Sequence, residues 1–349
     1  MRGARHEMAV PLFTNQPLPG GPLPLTPLRP RQGDMLQYAV RRVIAIIPLI
    51  VAVATITFFL MHAVEGGPFD EDRPISDGAK ANLERRYGLS DPLVVQYGKY
   101  LANLAQADLG ISFANDREVR DIIRERIEVS AQLGILAFLF ATTFGLLLGT
   151  VSALKQNGLA DYVGVFLATA GAALPSFVLA PIITIIFAVE FGWFKVLSGD
   201  YGFVQWFQGD VSNWRQMVLP TLALGFLPMA FVARITRAAM VEVLRQDYIR
   251  TARAKGVAEH AVVVRHAAKN GLIPVLTILG PTFAGLITGS FIIERAFEIP
   301  GLGREFVRSV AIRDYGLIMG VTIFFTLIIA LMNLVVDLLY AVVDPRIRY

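Results

Sequence analysis

Asp247–Lys269 reads DYIRTARAKGVAEHAVVVRHAAK, a basic, polar interruption between the apolar runs Met217–Met240 and Leu272–Ile293. The flanks decide the fold class. Each run is long enough for a helix to cross the ~30 Å hydrocarbon core, which takes roughly 20 residues. Four more such runs occur, at Val40–Met61, Ala131–Leu154, Tyr162–Val189 and Tyr315–Val343. Composition agrees: the 349 residues are 17% charged, well under the ~25% of soluble domains. The chain is therefore read as an all-α membrane protein with six transmembrane helices. Pro48, Pro175, Pro181, Pro220, Pro228 and Pro281 fall inside the runs, where neighbouring helices satisfy the backbone groups that proline frees.

Charge sets the orientation. Arg41 and Arg42 precede the first run, and Arg346 and Arg348 follow the last. Arg234, Arg237, Arg245, Arg250, Arg253, Lys255, Arg265 and Lys269 lie between the fourth and fifth. An even number of spans puts all of these on one face, which the positive-inside rule makes cytoplasmic, so both termini are expected inside. The long segment 63–129 then lies outside. Within it, Leu93, Tyr97, Tyr100, Leu101 and Leu104 fall at helical spacing, as do the apolar residues of Val119–Ile127. Both predict short amphipathic helices, packed on the outer end of the bundle or lying in the lipid interface. Residues 1–34, with QPLPGGPLPLTPLRP, form a proline-rich extension predicted to be disordered or polyproline-like. Met35 opens a second plausible start, and residues 35–349 form the transmembrane domain.

Within the basic segment, 247–270, the pattern predicts a short helix, a glycine break and a second short helix. Asp247 is the expected N-cap and Gly256 the expected left-handed residue after the first helix. Arg253 and Lys255 suit the last turn, where cations meet the negative end of the helix dipole. A capped cytoplasmic hairpin explains all of this, as does a topogenic or anionic-lipid contact.

Absences narrow the field. There is no cysteine, and no GxxxxGK[ST], GxSxG or HExxH motif, so ATP hydrolysis by this chain and the common hydrolase sites are not expected. His6, His62, His260 and His266 form no ligand cluster in sequence, and no metal site is expected. Asp337 is read as structural, and His62 with Glu65 as surface. A self-sufficient secondary transporter is the rival reading, although the spans carry few midplane charges for ion coupling. Basic residues confined to one membrane face argue against nucleic acid.

YIRTARAKGVAEHAVVVRHAAKNGLIPVLT resembles the cytoplasmic EAA-type signature of ABC importer permeases, in their dipeptide/oligopeptide/nickel branch. Arg250-Thr251-Ala252 stand where other branches begin Glu-Ala-Ala, and Lys269 stands near the place of their downstream Leu-Pro. MLQYAVRRVIAIIPLIV, YGLSDPLVVQYGKYLANLAQADLGISF, ERAFEIPGLG (Glu294–Gly303), Arg313-Asp314-Tyr315 and Asp344-Pro345-Arg346 extend the resemblance over Met35–Tyr349. It implies a coupling element at Arg250, Thr251, Ala252, Arg253, Ala254, Lys255, Gly256 and His260, seated on a cytoplasmic ATPase. It also implies an outer loop at Pro300, Gly301 and Gly303 facing a binding protein or the pathway. The implied partners are a second permease, two ATP-binding subunits carrying the ATP and Mg, and an external substrate-binding protein. The implied cargo is di- or oligopeptides, with nickel, glutathione or another small solute as the alternative. No cofactor is expected on this chain.

Overall fold

The computed structural model describes residues 32–64, 88–194 and 214–343. Residues 1–31 of the proline-rich extension, expected to be disordered, lie outside the described residues, as does Glu65; residues 32–34 are helical, since α1 begins at Gln32. The order is α1 (Gln32–Ala63), α2 (Leu93–Ala105), a two-residue hairpin β1 (Ile111–Ser112) and β2 (Arg117–Glu118), then α3 (Val119–Leu154). α4 (Leu159–Ala173) and α5 (Ser176–Thr184) follow, α5 continuing as a π-helical stretch Ile185–Glu190, and then α6 (Trp214–Leu244). The basic segment holds α7 (Asp247–Ala254), α8 (Glu259–Ala261), a π-helical turn Val262–Ala267 and α9 (Ala268–Gly271). α10 (Ile273–Ile287), α11 (Phe291–Ala296), α12 (Leu302–Ala311) and α13 (Tyr315–Val343) complete the described chain.

Among the described residues, α1, α3, α6 and α13 are each long and apolar enough to cross a membrane. Two bent pairs raise the number to as many as six: α4–α5, bent by 109°, and Glu259–Gly271 with α10, bent by 62°. The third apolar run is thus not one straight span. Leu174, held extended at φ −94° and ψ 112° before Pro175, breaks it, because proline disfavours helical geometry in the residue ahead of it. The fifth run also ends early. Helix α10 stops at Ile287, where the Thr288 hydroxyl donates back to the Gly285 carbonyl at 3.0 Å and Gly289 turns left-handed at φ +88°. Val119–Ile127 is not a separate helix either; no Gly or Pro interrupts the chain through Ile127–Ala131, so it continues directly into α3.

Helices α3 and α6 run parallel as the central pair, Ala137 meeting Gly225 near one end and Gly149 meeting Ala233 further along both. A Cβ on Gly149 would lie 2.5 Å from the Ala233 carbonyl oxygen, and one on Gly225 would lie 2.9 Å from that of Ala137. Close approach through small residues is how membrane helices associate when burial against lipid offers little gain. α1 lies at the periphery, with Ala54 and Phe58 buried but Ile44, Ile47, Ile56 and Leu60 exposed. It crosses α13 antiparallel, joined by the Arg42–Asp337 ion pair at 2.8 Å, which gives Asp337 its expected structural role. Two differently built ends result. One carries α7–α9, packed on Ala153 and Met240. The other carries α2, the hairpin, α11 and α12, packed on the starts of α3 and α13.

Candidate functional site

The basic segment folds as a helix, a glycine turn and a second helical piece, as its pattern predicts. Helix α7 ends in a double closure: Gly256 N–H donates to the Arg253 carbonyl at 2.9 Å, and Val257 N–H to the Ala252 carbonyl at 3.3 Å. This is the Schellman arrangement, which needs a left-handed residue after the C-cap. Gly256 supplies it at φ +79°, with open space where a Cβ would stand. The N-terminus differs from expectation. Gln246, extended at ψ 150°, is the N-cap and makes no side-chain cap bond, so Asp247 is the first helical residue. There its carboxylate favours the positive end of the dipole and meets Arg250 at 3.3 Å.

The element has two faces. Ile249, Ala252, Val262 and Ala267 turn inward and are buried with Ala153 and Met240. Ala252, expected among the partner-facing residues, therefore anchors the element to the bundle. Arg250, Thr251, Arg253, Ala254, Lys255, Gly256 and His260 are exposed. Residues five apart, Val262 and Ala267, share the buried face because the chain between them is π-helical, with its bonds closing from i to i+5. Glu259 is a member that the pattern did not reveal. Its carboxylate grips Arg253 at 2.6 and 3.1 Å across the Gly256 turn, so the two halves are clasped through a bidentate pair. At the far side, the Asn270 amide donates to the Tyr248 hydroxyl at 3.0 Å. The outcome is a clasped, basic knuckle standing on an apolar foot.

The second expected site, the FEIPGLG loop, is organised around the Glu294 side chain, which its sequence pattern does not mark. Glu294 of α11 is fully buried. It accepts from the Ser130 hydroxyl of α3 at 2.7 Å and from Arg304 N–H at 2.9 Å. The same Ser130 oxygen accepts from Leu302 N–H at 2.8 Å. Burial pushes the Glu294 carboxyl above its ordinary value, against the opposing pull of these donors. A Cβ on Gly301 would stand 2.4 Å from Glu294 Oε2, and one on Gly303 3.1 Å from it. Gly301 and Gly303 are buried and Pro300 is half-buried. The missing side chains of both glycines leave room for the carboxylate.

A third polar node fastens the hairpin. Asp314, buried, caps α13 by accepting from Leu317 N–H at 3.2 Å. It also accepts from Phe113 N–H at 3.0 Å, Ala114 N–H at 3.2 Å and the Ser112 hydroxyl. Helix α2 is held on α1 by the Thr55–Tyr97 hydroxyl pair at 2.7 Å and by His62 with Gln96 at 3.2 Å. His62 also stacks beside Phe58 and Tyr315, so it belongs to this packing.

Residues 145–349 match the family described as "Binding-protein-dependent transport system inner membrane component". Residues 35–134 match the N-terminal part of such membrane components. The chain belongs to this family. It is 42% identical over 315 residues to the dipeptide transport system permease protein DppB of Bacillus subtilis, covering 90% of this chain and 98% of that one. The oligopeptide transport system permease protein OppB of Escherichia coli K12 is 42% identical over 316 residues, covering 90% of this chain and all of its own. A solved chain of the MetNI methionine ABC transporter, in an inward-facing conformation, aligns at 14% identity with a TM-score of 0.48, over 64% of this chain and 96% of its own. As an inner membrane component of a binding-protein-dependent system, the chain is a permease subunit and not the enzyme that powers transport.

Proposed function

We propose that this chain is one of two permease halves of an ATP-driven bacterial importer of di- or oligopeptides, delivered by an external substrate-binding protein. Two cytoplasmic ATPase subunits, carrying the ATP and Mg, seat the α7–α9 knuckle. The chain has six spans, with its N- and C-terminal parts and the knuckle on the cytoplasmic face, and it hydrolyses nothing itself. Peptide cargo follows the names of the relatives and is preferred over nickel, glutathione or another small solute.

One observation carries the coupling assignment: an exposed, basic knuckle is clasped internally, Arg253 to Glu259, while its apolar foot is packed into the bundle between α3 and α6. Force applied to such a piece reaches the membrane helices because the foot cannot turn independently of them. Closure of the ATPase pair would then drive a rigid-body, alternating-access transition.

The test is at Gly256. A left-handed conformation costs a residue with a Cβ roughly 1–2 kcal/mol, and asparagine tolerates it best. Gly256→Val is expected to abolish ATP-driven peptide uptake in the reconstituted complex while leaving membrane insertion intact. Gly256→Asn is expected to retain most of it, since nothing crowds the position. Normal coupling in Gly256→Val would remove the assignment. Uptake by this chain alone, driven by an ion gradient, would favour the secondary-transporter reading.

A further inference from the structure

We propose that the Asp161–Arg237 ion pair fastens α4 to the coupling element, so that α4 swings with it as a rod pinned at one end and hinged at Pro175 at the other. The inference rests on the coupling role given above to α7–α9 and names the helix that this role moves.

The pin is explicit. Arg237 of α6 presents Nε to Asp161 Oδ1 at 2.6 Å and Nη2 to Oδ2 at 2.7 Å. Asp161 is buried at the start of α4, and its Oδ2 also accepts from Asn157 N–H at 2.9 Å. The α3–α4 turn is tied a second time, by Arg245 to Gln156 at 3.2 Å. Met240 lies one turn beyond Arg237 on α6 and is in the buried foot with Ile249 and Ala252, as is Ala153 at the end of α3. The pair therefore joins α4 to the two helices on which the knuckle stands.

The rest of the α4 contact explains why a pin is needed. Its buried face is Asp161, Gly164, Ala168 and Gly171. Ala168 meets Ala230 and Ala233 of α6, and a Cβ on Gly171 would lie 2.9 Å from that of Ala230. Such a seam permits close approach; Phe226 of α6 packs against Gly171 at the far end, while toward Asp161 the facing residues Ala168, Ala230 and Ala233 are small. A bidentate Arg–carboxylate pair adds the missing geometric specificity. Apolar residues in place of a buried pair are often as stable, so its best-attested use is to fix register. At the far end the chain turns by 109° between α4 and α5. α4 thus has one fastened end and one broken end.

Because the chain lacks cysteine, spin labels can be placed by single substitutions in the assembled complex. Tyr162→Cys on α4, Val264→Cys in the π-helical turn and Val189→Cys beyond the bend use side chains that are 67%, 69% and 68% exposed. The 162–264 distance is expected to stay fixed between nucleotide-free and ATP-bound complexes while the 162–189 distance shifts. Asp161→Asn should broaden the 162–264 distribution and lower peptide delivered per ATP hydrolysed by roughly tenfold, a typical coupling factor. The charge exchange Asp161→Arg with Arg237→Asp should restore much of that ratio, which a general loss of stability would not allow. A 162–264 distance that changes with nucleotide as much as 162–189 overturns the proposal without needing any variant at the pair. So does Asp161→Asn with an unchanged peptide-to-ATP ratio. If uptake does not depend on ATP at all and neither distance responds to it, the coupling role itself is overturned, and this inference with it.

Discussion

At the scale of single residues, the buried Glu294 carboxyl has the most unusual environment outside the spans. Ser130 is both its donor and the acceptor for Leu302 N–H. Ser130→Ala would orphan Leu302 N–H and take one donor from Glu294, which keeps Arg304 N–H, at about 1–3 kcal/mol, and should lower the thermal unfolding temperature of the purified subunit. Gly301→Ala would force a methyl group against Glu294 Oε2 and should cost a similar ~1–3 kcal/mol through overpacking. The pH dependence follows from the raised carboxyl. A proton held more tightly in the folded than in the unfolded state stabilises the fold fully below the ordinary glutamate range, about 4.3. That contribution is lost as pH rises from there through the buried group's own higher value. Glu294→Gln should flatten this decline, so the difference in unfolding temperature between variant and parent should change with pH in that window. A constant difference would mean that the carboxyl does not titrate differently on folding.

At the scale of elements, Asp314 joins a two-residue hairpin to the start of a 29-residue helix. Asp314→Ala removes the cap of α13 and the acceptor of the Phe113 and Ala114 N–H groups. Amide exchange at Ile111–Asn115 should accelerate by at least an order of magnitude while exchange in the middle of α13 stays slow, because hairpin and helix open as separate units. Unchanged hairpin protection would show that β1 and β2 are held by other contacts. This junction also marks what the sequence could and could not convey. Apolar length located the four long helices α1, α3, α6 and α13, and Gly256 is legible because a left-handed C-cap has a strong residue preference. Leu174–Pro175 was not read as a 109° bend, because proline inside an apolar run is equally compatible with a continuous membrane helix. Asp161, Glu259 and Glu294 carry no sequence signal for another reason. Each works through a partner distant in sequence or across a turn, Arg237, Arg253 and Ser130, and spacing along the chain carries no signal for such pairs. The glycines of FEIPGLG were noticed, but only the folded neighbourhood shows that they clear space for a carboxylate.

At the scale of the whole molecule, the two ends differ in how they are built. The end bearing α7–α9 presents an exposed cationic knuckle on an apolar foot, and both outer limits of the described chain, the start of α1 and the end of α13, lie toward it. The opposite end is closed by the Asp314 and Glu294 nodes and by α2, whose Val94 is 82% exposed. This arrangement makes sidedness directly testable, since a chain without cysteine gives no background to a membrane-impermeant thiol reagent. In intact, outer-membrane-permeabilised bacteria, Val94→Cys should be labelled and Arg250→Cys protected. In inverted vesicles the pattern should reverse. If the knuckle faces ATPase subunits, adding them to inverted vesicles should then protect Arg250→Cys and leave Val264→Cys, near the foot, less affected. Labelling of Arg250→Cys from outside would invert the orientation, placing the basic knuckle beyond reach of cytoplasmic ATPases. The positive-inside argument and the coupling assignment would then fail together, because both depend on the same cluster of arginines facing the cytoplasm.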